Sequence, residues 1–448
     1  MSRAGGLSGI PRETQSRGIC MTLSTADALT PYCFEVHGFG GAFFYDLSYR
    51  RPQSRPRSTV LDYTRDAIVN RRNLVRVFKE RQFSAGQGAG IDGLRLRDIS
   101  VTEFGDIAER IVDQIERGVW RPRPARIHRI PKDSGGYRYL SIRCAVERIL
   151  STAVAKETIQ QIDRHLLDGC TGFRPGRSIP EMLAEITYRA EVCGCTFITQ
   201  DDIRNAFPSV LVEHAVEDYS RHVADPQLLQ LIGVIIRGDQ QSRTIGLDQG
   251  DSLSPPTLNL RLHYCLDLPL SVAVPDNTFW YRYADNIFYL SRSAAEGNQA
   301  LSRARCLLQE AQFELKGIGN SPQNLLRQGT RIPILGLLLG WNGSRIEFSI
   351  SRESYHKLAL RLERVHEEPK PTVVARRVIQ GWIESLGSVF ESGEALQSLR
   401  QVRQIAADTG FREIGTYSQL EDWADKARIR WIGLKERVWQ RLQQGNEL

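Results

Sequence analysis

The sequence predicts an α+β fold, and three features of its patterning do so. Short apolar runs rich in Tyr, Phe, Ile and Leu flank the turn Ala284-Asp285-Asn286, as a β-hairpin requires. Arg126 to Ile130 and Tyr137 to Ile142 alternate as a second strand pair, turned at 133–136. Helical spacing fills much of the rest. Leu358, Leu362 and Val365 share one helical face, and Val374, Val378, Trp382 and Leu386 share another.

At 448 residues the chain can form two or three compact units. Its 59 Lys and Arg against 52 Asp and Glu give +7, a mild pointer to a polyanionic partner. No apolar run approaches a membrane span and the first residues lack a signal-peptide core, so a cytoplasmic protein without a membrane partner is expected. The eight cysteines form no Cys-x-x-Cys pair, which argues against a zinc module and for reduced core thiols.

Taken in order, residues 1–60 show no periodicity. Their aromatic stretch Pro31 to Tyr45 and basic stretch Arg50 to Arg57 suit either a packed tail or an arm that contacts single strands. Leu61 to about Ile115 reads as helix, broken by a glycine-rich loop over 85–93 that does not follow a strand and so is no phosphate-binding P-loop. Lys132 and Arg138 flank the turn of the basic hairpin, where a point charge and a planar fork can grip a triphosphate; a solvated surface hairpin is the plainer alternative. Helices follow over Glu147 to Leu167 and about Pro180 to Ala190, on either side of the cationic loop Gly172 to Ser178.

An apolar strand from Thr196 ends at Asp201-Asp202, and a helix covers about Val212 to Ile236. The loop at Gln249-Gly250 lets backbone approach a ligand and leads into a helix opened near Pro255. Past the Asp285 turn come a helix over Leu301 to Phe313 and one apolar strand, Ile332 to Trp341, partnered by Arg345 to Ile350. Ser418 with Glu421 reads as the capping box of a last helix carrying Trp423, Ile432 and Trp439.

Asp202 and Asp285 end separate strands. Alone, the second would be an acid on an ordinary surface hairpin. Brought together, two carboxylates make a hard-oxygen site for Mg²⁺, and a pair of such ions is what in-line phosphoryl displacement uses.

The series Ile91-Asp-Gly93, Ile130 to Leu140, Gly172 to Ser178, Asp202-Ile-Arg-Asn-Ala-Phe207, Gln249-Gly-Asp-Ser-Leu-Ser-Pro255, Tyr283-Ala-Asp-Asn286 and Leu335-Gly336 resembles, in order, the motifs of bacterial reverse transcriptases of the group II intron type. The resemblance covers about Gly86 to Trp341, and Gln380-Gly-Trp-Ile383 looks like the thumb that follows. It implies a right-hand polymerase, with an N-terminal extension over 1–60, mainly fingers over 61–195, mainly palm over 196–349 and a helical thumb over 350–448. It implies an RNA-directed DNA polymerase that adds dNTPs to a primer. Asp202, Asp285 and Asn286 would form the catalytic tip, and Asp202, Asp285 and the Ile203 carbonyl would hold two Mg²⁺ ions. Lys132, Arg138, Phe207, Gln249 and Gly250 would bind the nucleotide, Phe207 lying under the sugar. Leu335 and Gly336 would support the primer.

The departures narrow the class. Asn286 stands where a second acid is usual, Arg143 and Glu147-Arg148 where Pro and Asp-Arg are usual, and no lysine follows Phe313 at the family's spacing. Retron signatures are missing, Ser254-Pro255 speaks against a diversity-generating enzyme, and neither a DNA-binding segment nor a Cys-rich endonuclease is expected after the thumb. What remains looks most like stand-alone antiphage reverse transcriptases. Those imply a noncoding RNA and a DNA product as partners, with a second reverse transcriptase and self-association as further options. Two other readings are a catalytically weakened nucleic-acid-binding scaffold, and a polymerase without an ordinary template, in which Tyr32 to Tyr45 enters the template channel and Glu35 stands in for a base.

Overall fold

The structure, a computed structural model, describes residues 64–84, 88–131, 136–274, 278–317, 321–391, 395–414 and 416–445. The extension over 1–60, with Glu35, and the candidate phosphate ligand Lys132 lie outside the described residues.

Helices α1 (Arg65–Ile68), α2 (Arg71–Arg81) and α3 (Val101–Glu116) come first. The third starts at a capping box, with Ser100 and Glu103 each accepting the other's backbone N–H. Strands β1 (Arg126–Pro131) and β2 (Tyr137–Ile142) form the basic hairpin, Ile130 opposite Arg138. Then follow α4 (Ala145–Ile162), α5 (Ile179–Glu191) and β3 (Phe197–Arg204), which runs on past Asp202. The helix expected over Val212 to Ile236 is two, α6 (Val212–Ser220) and α7 (Pro226–Arg237), because Asp225 caps the second and Pro226 opens it. Next, α8 (Ser254–Leu262) continues through a π-helical turn at His263–Asp267 into α9 (Leu268–Ala273).

Beyond β4 (Phe279–Tyr283) and β5 (Asn286–Ser291), α10 (Ala294–Glu310) begins earlier than Leu301, at a capping box of Ser293 and Glu296. The short β6 (Glu314–Leu315) and β7 (Gln323–Asn324) both pair with β3. The single strand expected over Ile332 to Trp341 is a hairpin, β8 (Ile332–Ile334) and β9 (Leu337–Trp341), because Leu335 and Gly336 turn the chain at φ 44° and 88°. Strand β10 (Ile346–Ile350) completes that sheet. Helices α11 (Arg352–Val365), α12 (Pro371–Glu384), α13 (Ala395–Asp408) and α14 (Tyr417–Gly445) end the chain. Thr416, not Ser418, caps the last, its hydroxyl accepting the Gln419 N–H at 3.3 Å.

The central sheet has the order β4-β5-β3-β6. Strand β5 is buried on both faces. Ile287 and Tyr289 pack into a core with α4, α6, α7 and α10, while Phe288 and Leu290 pack into another with α5, β8–β10 and the last helices. Such a strand reads as a continuous apolar run, and burying each large side chain contributes about 1.5–3 kcal/mol. The Asp285 hairpin is therefore interior rather than an ordinary surface feature. Cys144, Cys170 and Cys195 are buried, whereas Cys306 is exposed, so core packing does not extend to every thiol. Among the described residues no helix is long and apolar enough to cross a membrane.

Candidate active site

Asp285 sits in a two-residue turn, because Tyr283 pairs with Asn286 across the hairpin. Asn286 is thus the first residue of β5, and the tight backbone falls on Ala284, at φ 56°. A non-glycine residue there costs on the order of 1 kcal/mol and persists only where its surroundings enforce it.

Two supports enforce it. From β4, the fully buried Arg282 guanidinium donates to the Ala284 carbonyl at 3.0 Å, to Asn259 Oδ1 at 3.0 Å and to both Asp267 oxygens at 2.8 and 2.5 Å. From the other side the loop before α5 lies along β4, with the Arg282 N–H donating to the Gly169 carbonyl at 2.8 Å and the Thr171 N–H to the Arg282 carbonyl at 2.9 Å. A Cβ on Gly172 would stand 2.5 Å from the Ala284 nitrogen, so only glycine lets the two backbones meet. Asn259 ties the two supports together by donating to the Gly172 carbonyl at 2.7 Å.

Strand β3 brings the second acid. Asp202 lies opposite Asn286, and the Ile203 N–H donates to the Asp285 carbonyl at 2.9 Å. Asp201 points to the other face, where one of its oxygens accepts the Asp202 N–H at 2.7 Å and the Gly317 N–H at 3.3 Å. The Asp285 carboxyl is pushed up to about 6, first by burial and then by the like charge of Asp202, against the pull of Lys316 and Arg138. Asn286 donates its amide to Asp285 at 3.3 Å. Asp202 Oδ1 is buried without a hydrogen-bond partner. An orphaned carboxylate oxygen with a like-charged carboxyl near enough to repel it fits a divalent cation, with the Asn286 carbonyl as a neutral third donor. Among the described residues no three His, Cys, Asp or Glu side chains are grouped as metal ligands, so the carboxylate count stays at the Asp202–Asp285 pair.

The other candidates divide. Arg138 is close enough to act on the Asp285 charge. Its strand is joined to the Gln249-Gly250 loop, since the Ser141 N–H donates to the Gln249 carbonyl at 2.7 Å. A Cβ on Gly250 would meet Leu140 at 2.7 Å. Gln249 Oε1 is a buried acceptor without a partner, as a subsite for a ligand donor requires. Phe207 is only 2% exposed and lies in the core, its carbonyl accepting the Leu247 N–H at 2.9 Å. It therefore supports the loop from beneath. Leu335 and Gly336 are on the separate β8–β10 sheet, where the Gly336 carbonyl accepts from the Ser354 hydroxyl at 2.6 Å.

Strain marks the same stretches. Among the described residues five non-glycines take positive φ, and Phe173, Asn205, Ala284 and Leu335 are four of them, each inside a motif singled out above. Sequence reasoning missed Arg282, Asp267 and Asn259, although a lone arginine between aromatics in an apolar strand signals a buried partner. It also missed Lys316. Strand β6 pairs with the end of β3 and places this lysine's Nζ 2.6 Å from Asp202 Oδ2, at a spacing the family pattern does not foresee.

Residues 130–317 match the family model described as reverse transcriptase (RNA-dependent DNA polymerase). Protein YkfC of Escherichia coli is 28% identical over 162 residues, 34% of this chain and 42% of that one. An uncharacterized 91 kDa protein in the cob intron of Schizosaccharomyces pombe is 27% identical over 165 residues, 35% of this chain and 20% of that one. The chain thus spans less than half the length of either relative. Among solved structures, a Candida tropicalis telomerase in complex with a fragment of telomeric RNA has a TM-score of 0.42 at 10% identity, over 77% of this chain and 68% of that one.

Proposed function

We propose that this chain, whose residues 130–317 form a reverse transcriptase domain, extends a primer with dNTPs on an RNA template. The observation that carries the reading is the pairing of Asp202 with Asn286, which sets Asp202, within β3, beside the β4–β5 turn that carries Asp285. Asp202, Asp285 and the Ile203 carbonyl would hold Mg²⁺, two ions in the fullest form. When bound, the ions activate the attacking oxygen and stabilise the leaving one. The Asn286 oxygen would complete the tip without charge. Arg138 and Lys132 would bind and orient the triphosphate, Gln249 and Gly250 would line the nucleotide pocket over Phe207, and Leu335-Gly336 would back the primer. Under this reading 61–195 are mainly fingers, 196–349 mainly palm and 350–448 thumb.

The test is incorporation of dNTPs on a primed RNA by purified protein with Mg²⁺. Asp285→Ala is expected to lower the rate by about 10³-fold, since several kcal/mol of charge stabilisation leave with the ligand. Undiminished synthesis by that variant would sink the assignment. Asn286 favours a second reading, a weakly catalytic scaffold, which tight RNA binding with no incorporation even by Asn286→Asp would support. We also place the activity in antiphage defence with a noncoding RNA, on the Asp-Asn tip and the missing retron signatures. Equal phage plaquing with and without the gene would end that part.

A further inference from the structure

We propose that Lys316 is an internal cation that competes with the divalent ion for Asp202, so that the site fills only at raised cation concentration. The inference stands on the reading of Asp202 and Asp285 as the cation-binding pair.

The backbone anchors this lysine beside Asp202. Leu315 pairs with Ile203 and Glu314 with Arg204, and the Lys316 N–H donates to the Asp202 carbonyl at 2.8 Å. The next residue is held as well, its N–H on Asp201. From that anchor the ammonium reaches Asp202 Oδ2 at 2.6 Å, which leaves Oδ1 without a partner. A lysine suits such a role better than an arginine would. It is a single point charge on a flexible stem, and with half of its side chain exposed it can withdraw into water.

The charge count makes the competition matter. Asp202 and Asp285 bring two negative charges and Asn286 none, and Lys316 cancels one. Cation affinity rises with the number of charged ligands, so the neutral asparagine and the lysine weaken it in the same direction.

The experiment is a Mn²⁺ titration of the purified full chain without nucleotide, with free Mn²⁺ read by electron paramagnetic resonance. Lys316→Gln is expected to bind Mn²⁺ about three- to ten-fold more tightly than the wild type, the range for removing one partly exposed counter-charge. Lys316→Arg, which keeps the charge, should bind like the wild type. Asp202→Asn should abolish binding in either background. Equal or weaker binding by Lys316→Gln, with Asp202→Asn still abolishing it, would overturn the competition and leave the cation pair standing. Binding that ignores Asp202→Asn, or no saturable binding in any variant, would overturn both.

Discussion

The molecule presents charged side chains from two antiparallel hairpins built to opposite plans. In β4–β5, residues Trp280 to Arg282 and Ile287 to Ser291 are all buried, and the Asp285 turn is gripped by Arg282 from one side and Gly172 from the other. In β1–β2, by contrast, Ile127, Tyr137 and Tyr139 are each about half exposed, and an Arg129 guanidinium lies 6.0 Å from the Tyr139 ring. The base of that hairpin is anchored, the Ser141 N–H on the Gln249 carbonyl and Leu140 against Gly250. Fixed ligands for a cation need the first plan. A clamp that meets a large, flexible polyanion needs the second, because its final geometry is completed by what it binds.

The sharpest way to break this contrast is to remove one support from each. Arg282→Met leaves Asp267 charged and alone in the core, so a loss of about 3–5 kcal/mol in a denaturant titration is expected. Adding Asp267→Leu should return much of it, since replacing both partners is far milder than orphaning one. Tyr139→Ser, on the open hairpin, should stay within about 0.5 kcal/mol. Comparable losses from the two single variants would abolish the distinction.

Arg138→Ala sharpens the contrast on the functional side. Its guanidinium stands on the exposed hairpin, away from the buried strands that hold the acids, so the expected outcome is a KM for dNTP raised about ten-fold with kcat changed much less. A fall in kcat alone would put Arg138 with the fixed machinery.

The smallest expected effect concerns what lies behind the fixed hairpin. Asp267 ends the π-helical turn that also holds Tyr264, whose hydroxyl is 2.8 Å from His222 Nε2. Burial, and then His165 and His263 nearby, push His222 down to about 4. Its pKa is lower folded than the unfolded 6.5, so the unfolded chain binds more protons between those values. Stability is therefore complete above about pH 6.5 and is lost as pH falls towards 4. The melting midpoint should drop about 2 °C more between pH 7.5 and 5 in the wild type than in His222→Gln. Parallel drops would exonerate this histidine.

How far the sequence discloses this arrangement depends on the range of the interaction. Both hairpins follow from alternation and turn residues, and the order of the motifs carries the domain that the family model matches over 130–317. Boundaries fail where a local signal is strong but unread, as with Asp225 and Pro226 opening α7 or Ser293 before α10. The hairpin hidden in Ile332 to Trp341 fails for another reason, since Leu335 takes a positive φ that its side chain disfavours. The Arg282–Asp267–Asn259 support and the Lys316 contact could not be read at all. Their members are distant in sequence, and nothing in a single chain records which buried charge meets which.

Gly172 has a practical corollary for protein engineering. The acidic tip is not a portable cassette: a graft of residues 279–291 into a foreign scaffold would arrive without the glycine backbone it nests against and without the carboxylate that neutralises its arginine. Any transplant would have to bring 169–172 and the stretch from Asn259 to Asp267 along, which makes three separated pieces of chain the smallest transferable unit.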